Sequence, residues 1–480
     1  MTFATNMTRR GLLGGAAAFA GAAFLPGAVP ARATKDYRLE PAPGRASIVP
    51  GQSQTDVWAF NNAVPGPGLR FRRGERARIE VKNGLAQETT VHWHGIRLPN
   101  AMDGVPHVTQ PPIAPGGTFV YEFDLPDAGT FWYHPHAMSV EQIERGLSGA
   151  FIVEEKKPPA ADRDVVWVLD DWRLTREAQI AGDFANFMDA SHAGRVGNTV
   201  TLNGRMPETF PVKANERLRL RLVNVANARI FALEFRGLAA RVIALDGHPV
   251  DVHAPEGGRV VLGPGMRADV MLDIVDVAGG RAPVVDSYYA QRAYTLVDMV
   301  VGGSARSAPL KDAARLSDNP LPPLDLANAD RHAIAFGGGM MDPGLMRARR
   351  PDGGIDPDLM RAVRARMAEG RIWTVNGRAV LMADHGHEPL FALRPGRTCV
   401  LDLVNDTAWA HPIHLHGVAF RVMERNGKAP ARIEWRDTEL LHPGERATVA
   451  FVAAEPGDWM FHCHILEHQD SGMMGIFRVG

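Results

Sequence analysis

One pattern occurs three times along the chain, and it limits the fold more than any other feature. The segments 69–83, 211–224 and 391–405 each read as a strand, a turn, an alternating strand and a closing Asn (Asn83, Asn224, Asn405). A second element recurs at Pro115-Gly116, Pro264-Gly265 and Pro443-Gly444, each leading into a further alternating strand. Such self-similarity implies copies of one supersecondary unit. Short strands punctuated by Gly and Pro predict an all-β chain of Greek-key β-sandwiches. The length of 480 residues accommodates about three domains of roughly 150 residues each. These are expected at 35–155, 160–305 and 335–480, with a linker rich in Pro, Ala, Asp and Leu from Ser304 to Asp330. Helix should be scarce. One helix is predicted from Pro357 to Glu369, where Asp356 can cap and Pro357 suits the first turn.

The N-terminus reads as a processing segment. Thr8-Arg9-Arg10-Gly11-Leu12-Leu13 resembles a twin-arginine export signal, an Ala/Gly-rich apolar stretch runs to about Ala28, and Ala31-Arg32-Ala33 offers a cleavage site. A membrane anchor is the alternative, but so much Gly and Ala makes the stretch only weakly hydrophobic. Residues 1–33 are therefore expected to be a signal peptide and the protein periplasmic or secreted. No other segment holds about 18 continuous apolar residues, so no stable membrane span is expected. Lys and Arg number 53 against 54 Asp and Glu, which leaves no field of one sign to attract nucleic acid. A monomer is expected. With two cysteines the chain is no disulfide scaffold.

The repeat also locates the chemistry. Nine residues after Asn83 is His92, in His92-Trp93-His94-Gly95, and nine after Asn405 is His414, in His411-Pro412-Ile413-His414-Leu415-His416-Gly417. Eighteen residues after Gly116 is His134, in His134-Pro135-His136, and eighteen after Gly444 is His462, in His462-Cys463-His464. In the middle repeat the same offsets fall on Leu233 and Pro283. Alternation along a strand puts both imidazoles of a His-x-His pair on one face. One such pair is more often a half-buried polar pair than a site. Four pairs at matching offsets predict a nitrogen-ligated metal cluster, suited to copper, where the first and third domains meet. The middle domain would then serve as a spacer.

Cys463 lies between two of these histidines, so its side chain points to the opposite face of the strand. His411, Cys463, His468 and Met473 make up two imidazoles, a thiolate and a thioether, the ligand set of a blue-copper centre with a weak axial Met. Zinc is the rival reading of such clusters, but it leaves the eight neighbouring histidines unexplained.

These motifs, together with Gly472-Met473-Met474-Gly475, resemble those of three-domain multicopper oxidases, the group of laccases and bacterial cuprous oxidases, from about residue 45 to the C-terminus. The resemblance implies three cupredoxin-like domains, with a trinuclear cluster between the first and third. It implies four copper ions: one type 1, one type 2 and a type 3 pair. His411, Cys463 and His468 would hold the type 1 ion, with Met473 axial. His92 and His414 would hold type 2, and His94, His134, His136, His416, His462 and His464 the type 3 pair. The implied activity is one-electron oxidation of phenolic or aromatic donors, or of Cu(I) or Fe(II), coupled to four-electron reduction of O2 to water. The partners would be O2 and a small reducing substrate.

Within this resemblance Asp103 matches the family's acid near the cluster, although Asp103-Gly104 also reads as a plain turn. Asp437 matches an acid beside the type 1 His411, where it would orient that imidazole or bind a cationic donor. A surface Asp at a strand end is the equal alternative. Donors would deliver electrons near His468. Gln469 stands where many relatives carry an acid, which puts the usual proton path in question. Pro111 replaces a Cys that forms a disulfide in some relatives. Met340, Met341, Met346, Met360 and Met367 cluster ahead of the third repeat. Thioethers suit Cu(I), whereas Met360 and Met367 also fit a packed helical stripe. Cys399 reads as a buried free thiol. Two other functions share the fold: a relative that has lost copper, and a nitrite reductase. The full set of ten histidines, Cys463 and Met473 argues against the first, and the eight-histidine arrangement against the second.

Overall fold

The computed structural model describes residues 33–480 apart from 312, 314, 349, 351–353 and 385–387. The export signal and the His385-Gly386-His387 loop lie outside the described residues. Each of the three repeated strands sits in a sheet with the same two neighbours. Arg76–Lys82 pairs parallel with Thr34–Leu39 and antiparallel with Thr118–Asp124. Arg217–Asn224 pairs in the same way with Arg163–Trp172 and Arg267–Asp273, and Thr398–Asn405 with Asp330–Gly338 and Arg446–Val452. The antiparallel partner is in every case the strand after the Pro-Gly turn. Hydrophobic alternation dictates this arrangement: Ala77, Ile79 and Val81 are buried while the residues between them are half-exposed.

Behind each of these sheets packs a second one. In the first third it runs Leu69–Arg72, Gly149–Glu154, Gly129–His134, His92–His94. In the middle and last thirds, six-stranded and five-stranded sheets repeat one strand order. The sandwich that ends the chain closes with Phe391–Leu393, Met474–Val479, Gly457–Cys463, His411–Leu415 and Thr438–Leu441. Buried apolar residues from the first and last sandwiches merge into one core, while the middle sandwich keeps its own.

Among the described residues helices are few and short. The longest, Pro357–Ala368, starts where expected, and the Asp356 side chain accepts from the backbone N–H groups of Asp358 and Leu359. Met367 packs against the core. Cys399 is buried and free. No described helix is long and apolar enough to cross a membrane.

Candidate metal centres

Four strand ends bring the His-x-His pairs together. His92–His94 pairs with Gly129–His134 so that His92 faces His134. His411–Leu415 pairs with Gly457–Cys463 so that His414 faces His462. The two edges then meet ring against ring. His94 stacks on His414 at 3.7 Å and His92 on His416 at 3.9 Å. All eight histidines are at most 2% exposed. Their ligand atoms fall into three groups, each within 4.8 Å, the first two sharing His94: His92, His94 and His414; His94, His134 and His464; His136, His416 and His462.

The outer nitrogens of these rings are tied to the chain. The Nδ1–H groups of His92, His134, His414 and His462 donate to the carbonyls of Asp103, Pro135, Asp437 and Cys463 at 2.8–3.0 Å. His416 Nδ1 donates to Asp103 Oδ2 at 2.8 Å. Such bonds fix the tautomer and aim the other nitrogen inward. The Nε2 atoms of His92, His134 and His414, Nδ1 of His94, and both ring nitrogens of His136 and His464 are buried with no protein partner. So many orphaned lone pairs converging in one pocket are costly unless something accepts them. Burial holds the imidazoles of His94, His134, His136, His414, His416, His462 and His464 below their ordinary range, so they are neutral and ready to ligate. An imidazole-ligated metal fits these residues.

Cys463 projects to the other face of its strand, as alternation requires. Its Sγ lies 3.5 Å from His411 Nδ1 and 3.7 Å from His468 Nδ1, and the two nitrogens are 3.1 Å apart. Three soft or borderline donors meeting at this spacing fit copper better than harder cations. Burial pushes the Cys463 thiol up and the His468 imidazole down to about 3. Met473 is fully buried, and its backbone bonds both Cys463 and His468. The His411 Nε2 contacts Thr407 Oγ1 at 2.8 Å.

One expectation requires correction. Asp437 is not beside His411. His411 pairs with Leu441, four residues further on, about 13 Å along the strand. Asp437 precedes Thr438, the partner of His414, and its Oδ1 lies 3.1 Å from His94 Nε2. At 0% exposure and ion-paired to Arg267, it offers nothing to a donor arriving from solvent. His468 is also 0% exposed, so no bulky donor touches it. Its Nε2–H donates at 2.7 Å to the carbonyl of His192, on a segment after the short helix Phe187–Ser191.

That segment went unmarked in the sequence. Three consecutive carbonyls pin it over the Cys463 site: Ala190 accepts from Trp373 Nε1, Ser191 from Met340 N and His192 from His468. Arg267 and Asp246 went unmarked too. Arg267 stands two residues after a repeated Gly, where the third repeat has the exposed Arg446, so nothing local distinguishes the two. Asp103 both ends a short 3-10 turn, with Gly104 at φ +82°, and reaches His416. Its Oδ1 accepts no hydrogen bond from the protein and lies 3.3 Å from His92 Nδ1. Gln469 is buried on the helix Leu466–Asp470, with Nε2 3.3 Å from both Ser139 Oγ and Asp470 Oδ1.

Residues 44–158, 163–291 and 357–480 each match a family model described as multicopper oxidase. The chain is 30% identical over 465 residues to multicopper oxidase MmcO of Mycobacterium tuberculosis, covering 91% of this chain and 85% of that one. It is 26% identical to a copper resistance protein A homolog of Pseudomonas syringae pv. tomato, covering 90% of each. Among solved structures, a multi-copper oxidase from Pseudomonas thermotolerans superposes with a TM-score of 0.81 at 33% identity, over 94% of this chain and all of the other. A metallo-oxidase from Campylobacter jejuni superposes at 0.76 with 26% identity, over 93% of this chain and 91% of the other.

Proposed function

The chain belongs to the multicopper oxidase family, and from that premise we propose which residues do the work. It is an oxidoreductase that uses copper to couple one-electron oxidation of phenolic or aromatic donors, or of metal ions, to four-electron reduction of O2 to water. One type 1 copper would be held by His411, Cys463, His468 and Met473, one type 2 copper by His92 and His414, and a type 3 pair by His94, His134, His136, His416, His462 and His464. Copper held there supplies the one-electron acceptor at the first site and the O2 chemistry at the second.

The observation that carries this assignment is the position of Cys463. Its sulfur belongs to one site, while the imidazoles of its chain neighbours His462 and His464 belong to the other. A continuous covalent path through a single peptide link on either side therefore joins the two. On the donor side, the His468 Nε2–H···O=C bond ties the ring to the half-buried His192. Met188, Met340, Met341 and Met346, between 38% and 66% exposed, lie on the two segments that meet there. Thioethers so exposed suit Cu(I) as a substrate, and phenols would dock at the same edge.

Reduction of one O2 to water takes up four protons. Asp103 would deliver them, a reading supported by its two oxygens: Oδ2 holds the His416 ring, and Oδ1 accepts no hydrogen bond from the protein. Gln469 has no titratable group, so it can orient a proton carrier but cannot be one. We also propose that residues 1–33 direct export and are removed; the mass of the mature protein in an exported fraction tests this. Parallel steady-state rates with a phenol, Cu(I) and Fe(II) test the functional reading. O2 uptake with none of them would overturn it.

A further inference from the structure

The middle domain, which carries no histidine pair, sends one side chain to the cluster. Arg267 opens the strand Arg267–Asp273 and is 0% exposed. Its guanidinium grips Asp437 of the last domain with both ends, NH1 to Oδ1 at 2.7 Å and NH2 to Oδ2 at 2.5 Å. Nε donates to the carbonyl of Thr130 in the first domain at 3.2 Å. All three domains thus meet at one ion pair. Asp246 braces it: its carboxylate accepts from the backbone N–H groups of both Arg267 and Thr438.

Asp437 in turn faces two cluster histidines. Oδ1 lies 3.1 Å from His94 Nε2, and the Asp437 carbonyl accepts from His414 Nδ1 at 2.8 Å. The two-pronged contact with Arg267 makes Asp437 the carboxylate of a buried ion pair. An ionised carboxylate only accepts hydrogen bonds. The His94 proton is therefore on Nε2, and Nδ1 is the atom that has no protein partner. The fit around the pair is close. A Cβ on Gly95 would sit 2.3 Å from Asp437 Oδ2 and 2.4 Å from Arg267 NH2, and one on Gly265 would sit 2.8 Å from the His464 ring.

We infer that Arg267 is a positioning residue for the cluster: by holding Asp437 it sets His94 as an Nδ1 ligand and squares His414 to the same site. The middle domain is then a third wall of the cluster rather than a spacer. This rests on the reading of the eight histidines as a copper site.

The test compares Arg267→Met and Arg267→Lys with the unaltered protein. The readouts are copper per chain, resistance of that copper to a chelator, blue absorption, and melting of the copper-free protein. In Arg267→Met the blue absorption per chain should stay, while the remaining copper is lost to chelator at least tenfold more readily. Arg267→Lys should restore the copper-free melting temperature but only part of the copper retention, because an ammonium cannot make the two-pronged contact. Asp437→Asn should show the same selective loss, and it keeps the test open if Arg267→Met does not fold. Unaltered copper retention in Arg267→Met or in Asp437→Asn would overturn the inference. Full recovery of retention by lysine would overturn it too, since charge alone would then suffice. An unaltered protein that holds only one copper would overturn the cluster itself, and this inference with it.

Discussion

The two metal-binding regions use the same strands but differ in what stands behind their ligands. At the eight-histidine site every ring nitrogen with an outer hydrogen bond reaches a carbonyl, carboxylate or hydroxyl deep in the protein, most of them on Asp103 and the Asp437–Thr438 pair. At the Cys463 site the outer nitrogen of His468 reaches the carbonyl of His192, a half-buried residue whose ring packs on Trp409 at 5.2 Å. One region is walled on all sides, so only small molecules such as O2, water and protons suit it. The other lies a single peptide beneath the surface, close enough to exchange electrons with donors too large to enter. Division of labour between two depths is what the difference teaches.

Several substitutions would break that division if it is wrong. The largest effect is expected for Cys463→Ser, which removes the one atom on which both regions depend. Blue absorption and donor-driven O2 uptake should both vanish, read by visible spectroscopy and an oxygen electrode. A blue Cys463→Ser protein would place the chromophore elsewhere. His94→Ala should cut the other way. The colour and its bleaching by donor persist, while O2 uptake stops, since His94 serves the walled site alone. Normal uptake by this variant would dissolve the distinction between the regions.

A smaller loss is expected from Asp103→Asn, which keeps the shape but removes the exchangeable proton. Anaerobic reduction by donor should stay near normal, and reoxidation on mixing with O2 should slow by roughly 10²–10⁴-fold, the usual share of a positioned acid. Reoxidation at the unaltered rate would leave Asp103 as a turn residue only. Gln469→Glu should be neutral or faster at the oxygen step. Replacing Met340, Met341 and Met346 together with Leu should lower Cu(I) oxidation a few-fold and spare phenol oxidation. Equal losses for both donors would point to damaged packing.

The smallest effect on turnover is expected where neither region is touched. Burial works against the Glu434 carboxyl, but Arg436 and Arg425 outweigh it and hold it down at about 2. A depressed carboxyl stabilises the fold above its unfolded value of about 4.3 and loses that contribution as pH falls towards 2. Glu434→Gln should therefore leave colour and rates unchanged, cost on the order of 2 kcal/mol at neutral pH, and flatten the fall in melting temperature between pH 4 and 2. An acid-melting profile identical to the unaltered protein would show the carboxyl to be unperturbed.

Much of this was legible because it is periodic. A strand shows its buried face at every second residue, so His92 and His94, or His462 and His464, had to share a face and Cys463 had to leave it. Equal offsets from Asn83 and Asn405 then put the pairs on matching strands. Asp437 shows where that reasoning stops. Its chain position suggested a neighbour of His411, but which residue it touches depends on the register of Thr438–Leu441 against His411–Leu415, and that register sets it beside His94. His192 offered no pattern at all: a backbone carbonyl has no identity in a sequence.

By itself, then, the sequence determined the three sandwiches, the histidine pairs and the opposed Cys463, because backbone alternation acts within a few residues and leaves its mark there. Only the tertiary structure decided what stands behind those ligands. Arg267 reaches Asp437 across 170 residues, and Asp437 reaches His94 across 343. A buried charge is stable only where partners from distant strands converge to desolvate and pair it together, and that convergence is a property of how the domains close on one another.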